Sequence, residues 1–97
     1  MPKENYEYPL ELDWSTDDII KVTGLYRSIE DAYELPKGVI KAELMQNYRD
    51  FKTVVESKMA EKQIDREFER ISGFSIYRTI QAAQTLTDTA HVKMTVR

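Results

Sequence analysis

The sequence contains no cysteine, one histidine, one tryptophan, three glycines and three prolines in 97 residues. Without cysteine there is no disulfide, no thiolate nucleophile and no zinc finger. A single histidine leaves carboxylates as the remaining ligand set for a metal, and no cofactor or metal is expected. No run of 18 apolar residues occurs, so no membrane-spanning helix is expected. The first twelve residues carry four charges and no apolar stretch, which argues against a secretory signal. The expected compartment is the cytoplasm. Neither the P-loop nor the dinucleotide-binding glycine pattern is present, and there is no internal repeat or low-complexity tract.

What is present suits one folded unit. Hydrophobic residues make up 41 % of the chain and charged residues 32 %, too apolar for wholesale disorder. A chain of this size supports one modest core, so residues 1–97 are read as a single helical domain. The net charge of −3 is unevenly spread. Residues 1–36 hold three basic and nine acidic side chains, and residues 37–97 hold eleven basic and eight acidic. The overall acidity argues against nucleic acid as a partner.

Residues 1–13 read as an extended arm. Tyr6, Tyr8, Leu10 and Leu12 alternate with polar residues or Pro9, giving one apolar face that can cover a core. The first helix is marked by Ser15 as N-cap, Asp18 as a short capping-box partner, and Trp14 and Ile19 at hydrophobic-staple spacing. Ile19, Val22, Tyr26, Ile29 and Tyr33 form its apolar stripe, and Pro36 stops it near Leu35. Gly24 lies opposite that stripe. It is read as a defect on the solvent face, the alternative being a segment that approaches the backbone there. A second helix is expected over 39–54, with Leu44, Tyr48, Phe51 and Val55 inward, and a third over 58–72, with Ala60, Ile64, Phe68 and Ile71 inward. Ser57 can cap the third, although the two could be one kinked helix. Gly73 fits a left-handed helix stop, with Phe74 placed to touch Phe68. Ser75 then caps a fourth helix over 76–86, with Ile76, Ile80 and Ala83 inward. Residues 87–97 read as a loose tail, for which pairing with the N-terminal arm is the minor option because Pro9 lacks a donor. The fold class is therefore all-α: a compact bundle of about four helices with an extended N-terminal arm.

Few residues suggest chemistry. His91 lies in the tail with no nucleophile or fixed carboxylate around it in sequence. Glu61, Asp65 and Glu69 line up at steps of four, as in a carboxylate site, but Lys58, Lys62 and Arg66 sit three residues before them. Those pairs make a solvated, ion-paired face the simpler account. The segment Ser72-Gly73-Phe74-Ser75-Ile76-Tyr77-Arg78 offers a helix start whose amides, with Ser75 and Arg78, can hold a phosphate or a carboxylate. The plain alternative is a helix joint with a capping serine. Tyr26, Tyr33 and Tyr48 belong to apolar stripes, whereas Tyr6, Tyr8 and Tyr77 are less committed and of a type enriched at interfaces.

Two stretches carry a family resemblance. Tyr8-Pro9-Leu10 followed by Asp13-Trp14-Ser15-Thr16 and Asp18-Ile19-Ile20 is one, and Ser72 to Arg78 is the other. Together with the length and the helical pattern, they resemble the YktA-like family of small uncharacterised proteins of low-GC Gram-positive bacteria. Asp18 stands where that pattern has glutamate. The resemblance implies a compact helical bundle in a cytoplasmic protein and brings no catalytic residues. The function expected is a non-enzymatic protein-interaction module, with Gly73, Ser75, Tyr77 and Arg78 as its candidate surface and an unidentified protein as its partner. One alternative is nucleic-acid or phosphorylated-ligand binding through basic residues of the C-terminal two-thirds, namely Lys52, Lys58, Lys62, Arg66, Arg70 and Arg78. The other is a small enzyme with a carboxylate site.

Overall fold

The computed structural model describes residues 8–96. The first helix, α1 (Thr16–Glu34), begins as its sequence dictates. Ser15 is extended at φ −73° and ψ 172°, its Oγ accepts from the Asp18 amide at 3.1 Å, and the Asp18 carboxylate accepts from the Ser15 amide at 3.1 Å. Two of the four orphan donors of the helix start are satisfied in this reciprocal way. Trp14 is half-buried against the core and lines a cleft with Val54, Val55, Ala60 and Ile64. α1 ends at Leu35, which is extended ahead of Pro36.

α1 buries a broader face than one stripe. Val22, Tyr26 and Ile29 are buried as expected, Ile19 and Tyr33 are half-buried, and Leu25, Ser28 and Ala32 are buried as well. The reason is the second helix, α2 (Lys41–Val54), which packs on the side that carries Gly24. Asn47 of α2 donates to Ser28 Oγ at 2.6 Å, and a Cβ at Gly24 would meet Asn47 Oδ1 at 3.7 Å. Gly24 is therefore not on the solvent face; it is half-buried under α2.

α2 and α3 (Lys58–Ser72) are separate helices. Val55, buried between them, leaves helical geometry at φ −107° and ψ 89°, and Ser57 Oγ caps α3 by accepting from the Ala60 amide at 3.1 Å. Leu44, Phe51, Ile64 and Phe68 are buried from these two helices, and α4 (Ile76–Gln84) adds Ile76, Thr79, Ile80 and Ala83. The fold is thus an all-α bundle of four helices, with α4 two residues shorter than expected.

The chain beyond α4 is not loose. Val39–Ile40 form a short strand, β1, antiparallel to β2 (His91–Val92), with Val39 opposite Val92. α2 has no side-chain cap. Its first amides are satisfied by this segment: Lys41 N–H donates to Ala90 O at 2.9 Å and Ala42 N–H to Asp88 O at 3.1 Å. The C-terminal end of α1 is satisfied by the same segment, with the Met94 amide donating to Ala32 O at 2.8 Å and Lys93 Nζ to Tyr33 O and Leu35 O at 3.0 and 2.7 Å. Helix ends expose orphan groups that must find partners, and this segment supplies them for two helices at once. It pairs with residues 39–40, and among the described residues with no part of the N-terminal arm. Of the described arm only Tyr8 covers the core; Leu10 and Leu12, expected on the same apolar face, are exposed, because the chain turns at residues 12–13, where the Trp14 amide donates to Glu11 O at 3.2 Å. Tyr8 meets Tyr26 edge-on and tilts on Phe68, Tyr26 stacks on Phe68 at 4.8 Å, and Tyr26 Oη donates to Pro9 O at 2.7 Å. Tyr6 lies outside the described residues.

Candidate interaction cleft

The joint between α3 and α4 is built from local rules. Gly73 takes φ 83° and ψ 2°, and its amide donates to Glu69 O at 2.8 Å, closing α3 in the left-handed form that glycine adopts without Cβ strain. Phe74 is buried in the same core cluster as Phe68, and its ring stacks on Tyr33 at 4.5 Å, a long-range partner not expected from sequence. Ser75 is also buried. Its amide donates to Tyr33 Oη at 3.2 Å, and its Oγ accepts from the Arg78 amide at 3.1 Å.

The start of α4 already holds an anion. The Ile76 amide donates to Asp65 Oδ1 at 2.9 Å, and the Tyr77 amide beside it also favours the charged carboxylate. Burial pushes the Asp65 carboxyl above its ordinary range; the two amides pull it down, while Glu69 and Glu61 push it further up, and the balance is upward. A phosphate at these amides would have to displace a carboxylate that belongs to the chain. The carboxylate row on α3 is accordingly not a simple solvated, ion-paired face. Glu61 accepts from Tyr48 Oη at 2.6 Å, Asp65 serves α4, and the ion pair formed among the described residues is Arg70 with Glu67. Burial, and then the bond to Glu61, raise the Tyr48 hydroxyl above the usual phenol range.

These commitments leave a cleft of unusual charge. A depression of about 170 Å³ between α2, α3 and the start of α4 is lined by Tyr48, Lys52, Lys58, Glu61, Lys62, Asp65, Ile76 and Tyr77. Its two carboxylates are engaged by Tyr48 and by the α4 amides. Its three lysines form no ion pair with a described residue. Lys52 Nζ stands 5.2 Å from the centre of the Tyr48 ring, a cation–π geometry. Tyr77 is 61 % exposed and also borders two adjoining depressions, one with Lys62, Arg66 and Glu69, the other with Ile80, Gln81 and Gln84. The three together make a groove with Tyr77 as its ridge.

The model of an uncharacterised protein family, UPF0223, matches residues 5–92, which include every residue of this groove. The chain belongs to the UPF0223 family. A UPF0223 protein of Bacillus mycoides is 49 % identical over 89 residues, covering 92 % of this chain and 98 % of the relative. One from Bacillus cytotoxicus is 51 % identical over the same span, and one from Streptococcus mutans is 51 % identical over 81 residues, covering 84 % and 86 %. These are small proteins of low-GC Gram-positive bacteria, as the two motifs suggested.

In this UPF0223 protein the four residues singled out from the sequence separate. Gly73 stops α3 and Ser75 is a buried cap, Tyr77 is the ridge of the groove, and Arg78 is exposed but lines none of the three depressions. Of the six basic residues considered together, Lys52, Lys58 and Lys62 converge on one cleft, Arg66 joins the next, and Arg70 is paired. Tyr48 and Lys52 were missed as partners, although four-residue spacing puts them on one helix face, as it does Lys58 and Lys62. His91 lies elsewhere, exposed on β2 beside an open apolar depression with Leu35, Ile40, Asp31 and Glu43. Among the described residues, no group of three histidine or acidic side chains could hold a metal, and no helix is long and apolar enough to cross a membrane.

Proposed function

We propose that this protein is a non-enzymatic interaction module that docks a protein partner on the groove between α2, α3 and α4. The observation that carries this reading is the set of three lysines without ion-pair partners around a tyrosine-walled cleft whose own carboxylates are engaged. An exposed tyrosine is of the type enriched in interface cores, and the lysines around it can orient a partner of opposite charge. The engagement of Glu61 and Asp65 speaks against a carboxylate enzyme, since each is held as an acceptor in a structural bond. The cysteine-free sequence supports a reducing compartment, the cytoplasm.

The test is capture from the nuclease-treated lysate of the source organism. Tagged wild type, Tyr77→Ala and the triple variant Lys52→Glu/Lys58→Glu/Lys62→Glu are immobilised, and bound proteins are identified by mass spectrometry. The reading expects one protein retained by wild type and lost from both variants, each shown to be folded by circular dichroism. Equal retention by all three, or retention that vanishes with nuclease, would refute it.

A further inference from the structure

We infer that the occupant of the groove is an acidic, extended peptide segment carrying one bulky apolar anchor side chain, an inference that rests on the docking reading above. The anchor follows from size and lining. About 170 Å³ between Tyr48, Ile76 and Tyr77 is room for one large side chain, and it opens past Tyr77 into an adjoining depression of about 430 Å³. Both tyrosines offer ring faces, and Ile76, itself 2 % exposed, forms an apolar floor.

The acidic flanks follow from how the cations are spread. Lys58 and Lys62 stand one turn apart on α3, Lys52 belongs to the end of α2, and Arg66 lies past Tyr77. Three of them border one cleft and the fourth the depression beside it. The backbone donors that would take a phosphate, the first amides of α4, are filled by Asp65. A peptide presents its carboxylates at intervals, about 3.3 Å per residue when extended, which suits cations set around and along a groove. The glutamines at 81 and 84 line the far end, where a peptide backbone can find both donors and acceptors. Single-stranded nucleic acid would also use lysine with tyrosine. Against it, the α4 amides that would take a backbone phosphate are filled by Asp65.

Fluorescence anisotropy with defined probes decides the matter. The first probe is a fluorescein-labelled peptide of about ten residues, long enough to follow the groove, made of glutamate and aspartate with one central phenylalanine. The second has serine in place of phenylalanine, the third has lysine in place of every acid, and the fourth is an oligothymidine of equal length. The inference expects the first probe to bind, and the second and third to bind about tenfold more weakly or not at all. Tyr77→Ala and Lys52→Met/Lys58→Met/Lys62→Met should each weaken the first probe about tenfold. Binding should also fall when added salt shortens the screening length from roughly 14 to roughly 4 Å. The methionine variant keeps the stems of the lysines, so that a loss of binding is not a loss of packing. Equal binding of the phenylalanine and serine probes, no binding of the first probe, or tighter binding of oligothymidine would each overturn the inference. If no peptide binds while Tyr77→Ala still abolishes capture of a protein from lysate, the acidic occupant falls and the docking face stands. If Tyr77→Ala changes neither, both fall.

Discussion

Gly38→Ala tests the account of the C-terminal segment most directly. Gly38 sits at φ 73°, and a Cβ there would lie 2.0 Å from Val92 O, 2.8 Å from Val92 C and 3.0 Å from Lys93 Cα. Non-bonded contact is comfortable only near 3.5 Å, so the β2 backbone must retreat by about 1.5 Å. That retreat acts on the pairing of Val39 with Val92 and on the bonds from the Lys41 amide to Ala90 O and from the Met94 amide to Ala32 O. The left-handed backbone alone costs alanine about 1–2 kcal/mol. Releasing Val92, which is 1 % exposed, forfeits about 1.5–3 kcal/mol of apolar burial. The expected loss is therefore about 2.5–5 kcal/mol, a large part of the roughly 5–15 kcal/mol that holds a typical domain folded.

The assay is a pair of urea titrations, Gly38→Ala and Gly73→Ala, with hydrogen exchange on each. Gly73 has a similar backbone, φ 83°, but a Cβ there meets nothing within 4 Å. It should lose only the conformational cost of about 1–2 kcal/mol. The difference between the two variants isolates the clash with β2. Gly38→Ala should also lose amide protection at Lys41, Ala42 and Met94 before the α3 amides exchange. A Gly38→Ala variant no less stable than Gly73→Ala, with those three amides still protected, would show that residues 88–94 do not hold the helix ends as described.

Four further outcomes follow. Gly24→Ala should gain about 0.5–1 kcal/mol in thermal or urea unfolding, because the new methyl meets Asn47 at an ordinary 3.7 Å while helix propensity improves. Trp14→Ala should cost about 2 kcal/mol by the same assay, less than a fully buried aromatic, since the ring is half-buried. Arg78→Ala should change the urea midpoint little, by about 0.5 kcal/mol or less, and leave partner capture intact, because its side chain is exposed and lines no part of the groove. For Asp65 the folded carboxyl is raised above 3.8, so the fold favours its protonated form. That contribution is full below pH 3.8 and is lost as pH rises through the raised value. Urea midpoints across the carboxylate range should show wild type losing ground to Asp65→Asn as pH rises; a gap that stays constant or widens in favour of wild type would contradict the direction of the shift.

The helices were legible because their signals are local. Ser15 with Asp18, Ser57, Gly73 and Ser75 each act within three or four residues, and each does in the fold what its position in sequence predicts. The inward positions of α4 were legible for the same reason. The α1–α2 contact was not, because a single stripe was sought on a helix that is covered on two sides. A signal was present: Gly24, Ser28 and Ala32 recur at steps of four, and small residues in such a row let another helix come close. The tether at residues 88–94 had no comparable signal. Its bonds join residues 46 to 62 positions apart through backbone groups, and backbone groups leave no trace in side-chain periodicity.

The candidate site divides along the same line, and the division shapes its chemistry. Tyr77 was visible as an aromatic with no core position to fill, and the lysines were visible as a group. Their convergence depends on α2 ending beside α3, which is a tertiary fact. The decisive step is taken by Asp65. From sequence it belongs to an acidic row with Lys62 three residues before it, and the start of α4 looks like an open anion site. In the fold its carboxylate leaves that row to accept from the Ile76 amide at the start of α4. One side chain thereby closes the anion site suggested by the joint and leaves Lys62 without an ion pair. Glu61 does the same for Lys58 by turning to Tyr48. These bonds hold the acids away from the lysines without removing their charge, and in the cleft three lysines stand against two carboxylates. Asp65→Ala should reopen the α4 amides, and inorganic phosphate should then protect the variant against urea while leaving wild type unaffected. Phosphate protecting both equally would mean that Asp65 does not occupy the site, and the argument that separates a peptide ligand from a phosphate would fail with it.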